Sequence, residues 1–143
     1  VQKKLTHRIT LQQADSENLP FESETFDAVT VSFGVRNFEN LDKGLADMGR
    51  VLKSKGSLFV LEFSKPTNFW FKPIYNFYMK WLTPTIGKIF SGNKEAYAYL
   101  NESVMAFPEG AAFLTILEQA GFKNVSQEKL SLGICSIYCA NKL

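Results

Sequence analysis

Side chains able to hold a small polar ligand cluster in the first part of this 143-residue chain. Asp15 ends an alternating segment, and its acceptor-only carboxylate can take a hydrogen bond from an exocyclic amine such as adenine offers. A turn or cap aspartate is the plainer reading. Further on, Phe33-Gly34-Val35-Arg36-Asn37 crowds a glycine, a guanidinium and an amide at the carboxyl edge of an apolar run. Gly34 lets backbone approach a ligand closely, and Arg36 can stabilise a phenolate through charge-assisted hydrogen bonds, with Asn37 as orienting partner. A solvated arginine paired with Glu39 or Asp42 is the alternative. Ser32, at the end of that run, is by itself an ordinary hydroxyl, and Glu62 and Ser64 at the end of the next run are expected beside Arg36. Ligands of open parallel sheets lie beyond the carboxyl ends of the strands, which predicts a nucleoside site at this rim.

Such a rim needs a sheet to carry it. Residues 8–14 alternate Ile9 and Leu11 with polar neighbours and read as a half-buried strand, whereas 28–33 and 57–63 are almost continuously apolar and read as strands covered on both faces. Between them Leu41, Leu45, Met48 and Leu52 recur at helical spacing, so a β-α-β unit with parallel strands is predicted. Lys53-Ser54-Lys55-Gly56 supplies the basic residues and glycine that helix C-termini favour. Residues 68–107 are denser in aromatics and read as an inserted helical cap. Pro108 then starts a helix whose buried stripe is Phe113, Ile116, Leu117 and Ala120, and Gly121 ends it. Two strands follow, 123–131 and 133–141, joined by a turn at Leu132-Gly133. The order of elements is the back part of an α/β doubly wound fold in a single domain.

Composition narrows the function. Sixteen basic and fourteen acidic residues leave a net charge of +2, far from the concentrated basic field of a nucleic-acid binder. Cys135 and Cys139, four residues apart on one strand, would lie roughly 13 Å apart, beyond disulfide reach. Free thiols agree with a reducing, cytoplasmic setting. A lone His7 and two cysteines on one strand make no closed zinc site, and His7 reads as a surface residue. No apolar run approaches the length a membrane span requires. The opening Gln2-Lys3-Lys4-Leu5-Thr6-His7-Arg8 reads like the end of a helix and a turn, so further chain is expected upstream of Val1.

Leu19-Pro20-Phe21, Phe26-Asp27, Ser32-Phe33-Gly34, Arg50-Val51-Leu52-Lys53, Leu61-Glu62-Phe63-Ser64 and Gly121-Phe122 resemble the words of the ubiquinone/menaquinone biosynthesis C-methyltransferases. The resemblance covers 8–142 and implies a partial Rossmann-like class I methyltransferase fold: a mostly parallel sheet with an antiparallel C-terminal strand, a helical cap insertion, and the first two strands missing. It implies S-adenosyl-L-methionine as cofactor, with Asp15 and Ser16 at its adenine and Ser32 at its methionine side. It also implies a polyprenyl quinol, demethylmenaquinol or a ubiquinol precursor, as substrate, with Arg36 in the quinol pocket. Tyr97-Ala98-Tyr99-Leu100-Asn101-Glu102-Ser103 is similar to a family word lying over that substrate, so Tyr78, Tyr97, Tyr99 and Asn101 are candidate substrate contacts. Plain core packing is the other reading of these aromatics. Trp70, Phe71, Trp81, Lys72 and Lys80 suggest peripheral contact with a membrane surface, at its inner face.

Departures from the family pattern bear on what this stretch can do. Ser54-Lys55 stands where relatives carry Pro-Gly, and Tyr138 where they often carry histidine. The glycine-rich turn and the acidic strand end that hold the cofactor's methionyl part and ribose are not encoded, so this stretch alone is expected to be weak or inactive. In the family's strand order 3-2-1-4-5-7-6, the strand at 28–33 would keep a bare edge, which predicts either re-docking of 8–14 or a homodimer through that edge. A non-catalytic module holding a quinone or a partner protein is the alternative function. A nicotinamide dehydrogenase is disfavoured, because no G-x-G-x-x-G is present.

Overall fold

A computed structural model of the chain describes residues 9–66, 69–77 and 94–143. Tyr78, Lys80, Trp81 and His7 lie outside the described residues. Four strands form one sheet: β1 (Phe26–Ser32), β2 (Leu52–Phe63), β3 (Lys123–Leu130) and β4 (Cys135–Asn141), in the spatial order β1-β2-β4-β3. Helix α1 (Leu41–Val51) joins the parallel pair β1 and β2, while β4 runs antiparallel to both of its neighbours. The described helices beyond α1 are α2 (Phe71–Phe77), α3 (Lys94–Ala106) and α4 (Ala111–Gln119). This is the β-α-β unit that the apolar periodicities predict and the antiparallel C-terminal strand that the family resemblance implies, in a mixed sheet whose order is that expected of a partial Rossmann-like fold.

Local chemistry accounts for the crossover helix. The Asn40 side chain accepts from the Lys43 N–H at 3.0 Å and caps the amino end of α1, with Asp42 in its first turn and Arg50 in its last. Leu45, Met48 and Val51 face inward at helical spacing. Leu45 and Met48 meet Leu58 and Val60 of β2, Tyr138 and Ala140 of β4, and Phe113 and Leu117 of α4 in one core. Gly121, at φ +92°, takes the left-handed conformation that ends α4, and the Gly121 and Phe122 N–H groups return to the carbonyls of Glu118 and Leu117.

Several expectations need correction. Residues 9–14 form no strand, and Ile9 and Leu11 are 55% and 92% exposed. Alternation marks a segment fit for a sheet, but without a ladder partner and an apolar surface beneath it the ordering entropy is not offset. Residues 9–14 therefore do not re-dock onto β1, which among the described residues is an edge strand of the sheet. Nor are the apolar strands covered on both faces: α1 and α4 share one core on one face, while Phe59, Leu61 and Phe63 of β2 stay half-buried and Ala28, Thr30 and Ser32 of β1 are not buried either. Lys53-Ser54-Lys55-Gly56 belongs to β2 rather than closing α1. There the register jumps from Phe26↔Leu52 to Ala28↔Ser57, a bulge on the β2 side. Gly56 is required by close approach, since a Cβ there would stand 2.8 Å from the Lys53 carbonyl oxygen. Pro108 precedes α4, which starts at Ala111 behind the Gly110 N-cap.

Residues 15–25 run alongside α1 and are pinned to it through Glu17 and through the Asp47–Arg50 ion pair. Glu17 Oε1 accepts from the Asn40 N–H at 2.7 Å and Asp47 Oδ2 from the Leu19 N–H at 2.7 Å. Arg50, 2.7 Å from Asp47, donates to the carbonyls of Phe21 and Leu19. The hydrogen bonds from Arg50 hold the Asp47 carboxyl below its ordinary range. A depressed carboxylate stabilises the fold fully above its unfolded pKa, about 3.9, and loses that contribution as pH falls through its lower folded value. Asp47→Ala is expected to cost about 1–3 kcal/mol at pH 7. Its difference from the wild type should shrink below about pH 3, as read by urea unfolding at both pH values.

Candidate functional site

A carboxylate deep in a sheet sets the geometry of the rim. Glu62 lies one residue from the end of β2 and is fully buried, a position costly for an ion without a partner. Its partner comes from the turn after β1. There Phe33 adopts φ +55° while its N–H still donates to the Leu61 carbonyl at 2.8 Å, and a short 3-10 turn, Val35–Asn37, anchors itself through the buried Val35. The Arg36 side chain folds back so that Nη1 lies 2.8 Å from Glu62 Oε1, with only 10% of the side chain exposed. Glu62 Oε1 also accepts from the Phe63 N–H at 2.9 Å, and Oε2 from the Arg36 N–H at 3.3 Å. Glu39 and Asp42, the acids nearest to it along the chain, are not the ones that pair with Arg36.

The guanidinium is held on further sides. Nη1 also donates to the Phe33 carbonyl, Nε donates to Ser103 Oγ of α3 at 3.2 Å, and Cζ stands 5.4 Å over the Phe63 ring. Phe33 and Phe63 pack their own rings 4.5 Å apart. The bonds to described residues use Nε and Nη1, and the Nη2 edge takes part in none of them. Asn37, next along, receives at Oδ1 the Tyr99 hydroxyl of α3 at 3.1 Å.

The other predicted residues fall into separate groups. Ser64 is buried: its hydroxyl donates to the Gly133 carbonyl at 2.9 Å and accepts from Ser136 Oγ at 3.0 Å, and Gln127 Nε2 donates to Ser136 at 2.8 Å. Tyr138 belongs to this inner chain too, accepting the Gly110 N–H at 2.8 Å, and burial pushes its hydroxyl above the usual phenol range. Burial, then the charge of Glu62, likewise raises the Cys135 thiol. Ser32 is exposed at the carboxyl end of β1, and Gly34 follows at φ −118°, where an added Cβ would press on the Val31 methyl at 3.3 Å. Asp15 is exposed, with Oδ1 accepting from the Glu17 N–H at 2.9 Å, and Ser16 is half-buried beside it. Through the Glu17–Asn40 bond this turn stands at the start of α1, at the same end of the sheet as Ser32. Asn101 is half-buried on α3, which also carries Tyr97.

The structure thus assembles Arg36, Asn37, Glu62 and Tyr99, keeps Ser64 in the sheet interior, and leaves Asp15 and Ser32 as open polar groups on the rim. An exposed carboxylate and an exposed hydroxyl at a strand end fit the amine donors of an aminoacyl nucleoside. Ser103 is a site residue that residue type and spacing do not reveal. The signal that points to the ion pair is Glu62 itself, a charge inside the apolar run Val60-Leu61-Glu62-Phe63 that demands a buried counter-ion. Among the described residues no group of three or more His, Cys, Asp or Glu could hold a metal ion, and no helix is long and apolar enough to cross a membrane.

Comparison with known proteins agrees with the fold. The family model described as the ubiE/COQ5 methyltransferase family matches residues 1–142. A demethylmenaquinone methyltransferase of Bacteroides fragilis is 42% identical over 138 residues, 96% of this chain and 56% of that protein. A ubiquinone/menaquinone biosynthesis C-methyltransferase UbiE of Citrifermentans bemidjiense is 47% identical over 135 residues, 94% of this chain and 57% of that protein. The chain therefore spans little more than half the length of these relatives. A crystal structure described as an SAM-dependent methyltransferase from Thermotoga maritima aligns with a TM-score of 0.64 at 16% identity, covering 94% of this chain and 65% of that one, a likeness of fold.

Removing the carboxylate while keeping the guanidinium tests the electrostatic core of the rim. Glu62→Ala should lower stability by about 3–5 kcal/mol, since it leaves a buried cation unpaired. Replacing both members by apolar residues, Arg36→Met with Glu62→Leu, should land near the wild type. Urea unfolding at neutral pH reads both, and equal stability of Glu62→Ala and wild type would show that the pair does not hold the rim.

Proposed function

This chain belongs to the ubiE/COQ5 methyltransferase family, and we propose that it serves S-adenosylmethionine-dependent C-methylation of a polyprenyl hydroquinone, demethylmenaquinol or a ubiquinol precursor, in quinone biosynthesis. The observation that carries this reading is the Arg36 guanidinium, held at the carboxyl rim of β1 and β2 by Glu62, Phe33 and Ser103. Asp15 and Ser16 are assigned to the adenine side of the cofactor and Ser32 to its methionine side. The cofactor supplies, when bound, a methyl group on a sulfonium that departs as a neutral sulfide.

The chain's part is placement and charge. A ring carbon of a hydroquinone becomes nucleophilic when electron density is pushed onto it from a deprotonated or strongly hydrogen-bonded hydroxyl. In this reading Arg36 holds that oxygen as its anion, directly or through water, and its bonds to Glu62, Phe33 and Ser103 support the role because a donor already fixed needs no reorganisation. Asn37, steadied by Tyr99, orients the same oxygen. The new carbon–methyl bond leaves the ring carbon with its original hydrogen, and loss of that proton to solvent restores the aromatic ring. Glu62, bonded to two donors of Arg36 and to the Phe63 N–H, keeps the cation in place rather than meeting the substrate.

A flat acceptor with a long apolar tail also needs greasy surface. Phe69 and Trp70, each 81% exposed, with Ile74 and Phe77 of α2, offer it and support both tail binding and contact with a membrane surface. Pairing of two chains through the open edge of β1 is a further part of this reading.

Calorimetric titration with S-adenosylhomocysteine, with turnover of a short-chain demethylmenaquinol, tests the assignment in the chain extended by the upstream part that its relatives carry, since this stretch alone is expected to be weak or inactive. Asp15→Asn should weaken nucleoside binding about tenfold without altering the melting temperature, since the side chain is exposed. Arg36→Lys should lower turnover about a hundredfold and leave nucleoside affinity unchanged. Absence of both binding and transfer in the chain extended by the upstream part that its relatives carry would end the proposal.

A further inference from the structure

Helix α3 reaches the rim with two hydroxyls one turn apart. Tyr99 donates to Asn37 and Ser103 accepts from Arg36, so positions i and i+4 of one helix face engage two consecutive residues of the turn after β1. The Ser103 hydroxyl is polarised toward the cation, because its hydrogen is committed to the Leu100 carbonyl of its own helix at 3.0 Å and its lone pairs are left for the guanidinium. Val104, buried beside it, fixes the helix at this point.

We propose that Ser103 is a positioning residue for the methyl transfer, acting through Arg36 by setting the plane of its guanidinium. The inference rests on the reading of Arg36 given under Proposed function. A planar fork bonded only at Nη1, to Glu62 and the Phe33 carbonyl, retains rotation about that end. A second bond at Nε removes the rotation, and the Phe63 ring closes one face. The direction of the Nη2 edge is then determined. Glu62 and Ser103 thereby divide the work: Glu62 balances the charge on which the fold depends, and Ser103 sets where the donors point. A loss of about 10–20° in aim is the scale at which positioned groups lose effect.

The test uses Ser103→Ala and Ser103→Thr in the chain extended by the upstream part that its relatives carry, in the wild-type background and in Arg36→Lys, which keeps a cation opposite Glu62 but has no Nε–H for Ser103 to receive. With S-adenosylmethionine and a short-chain demethylmenaquinol, Ser103→Ala should lower kcat about tenfold, the worth of one charge-assisted hydrogen bond, with acceptor KM little changed. Ser103→Thr should restore it. In Arg36→Lys, Ser103→Ala should cause no further fall. The Arg36 Nε–H signal in 15N NMR of the same proteins should be slow to exchange in the wild type and Ser103→Thr, and fast in Ser103→Ala. Equal losses in both backgrounds, unchanged kcat in Ser103→Ala, or failure of that variant to fold would each overturn the proposal. Absence of transfer in the extended wild type would overturn the functional reading and this inference with it; a slow Nε–H alongside unchanged kcat in Ser103→Ala would overturn this inference alone.

Discussion

Glu62 presents this sheet with a physical problem whose solution shapes everything at the rim. An ionised carboxylate inside a strand, with no access to water, must receive enough donors to replace its hydration. The Phe63 and Arg36 N–H groups and the Arg36 guanidinium supply them. To deliver that guanidinium the chain leaving β1 must turn back at once, and the positive φ of Phe33 is part of that reversal. The Phe33 carbonyl then accepts from the side chain it helped to place, so the turn and the ion pair support one another. A residue in the left-handed region persists where its surroundings over-determine it, and here a ladder bond from its N–H, a bond to its carbonyl and a ring contact with Phe63 do so.

Two polar chains therefore start at the carboxyl end of β2, and they have different outlets. The one on Ser64 passes through Ser136 and Gln127 to Tyr138 and closes on the Gly110 N–H at the start of α4, entirely among structural groups. The one on Glu62 leads outward, through Arg36 to Ser103 of α3. Neighbouring alternate positions at the end of one strand, Glu62 and Ser64, thus serve different ends. Ser64 ties sheet to helix, and Glu62 holds a cation near the surface.

The readable part of this architecture is the part encoded by local periodicity. The apolar runs that form β1 and β2, the helical spacing of Leu41, Leu45, Met48 and Leu52, and the turn at Leu132-Gly133 each lie inside one short window, and all are legible. The misreadings share a cause. Ile9 and Leu11 alternate as a strand should but stay exposed, with no ladder to the described strands. Lys53-Ser54-Lys55-Gly56 has the composition of a helix end, yet it bulges out of β2 because the ladder with β1 resumes only at Ser57. Apolarity of a strand likewise says nothing about how many faces neighbouring helices cover.

At the site the division is similar. Arg36, Asn37 and Glu62 announce themselves, as a cation, an amide and a charge at the ends of apolar runs. Their pairing does not, since Arg36 lies 26 residues from Glu62 and 67 from Ser103, and nearer acids compete as partners. By itself the sequence determined the order of α1, α4 and the four strands, because side-chain periodicities of about 2 and 3.6 residues are properties of the local chain, and words such as Ser32-Phe33-Gly34 and Leu61-Glu62-Phe63-Ser64 carried the family resemblance. Only the tertiary structure decided which acid neutralises Arg36, that Ser64 turns inward, and that Ser103 meets the guanidinium, because desolvation is satisfied by whichever groups the packed strands bring together.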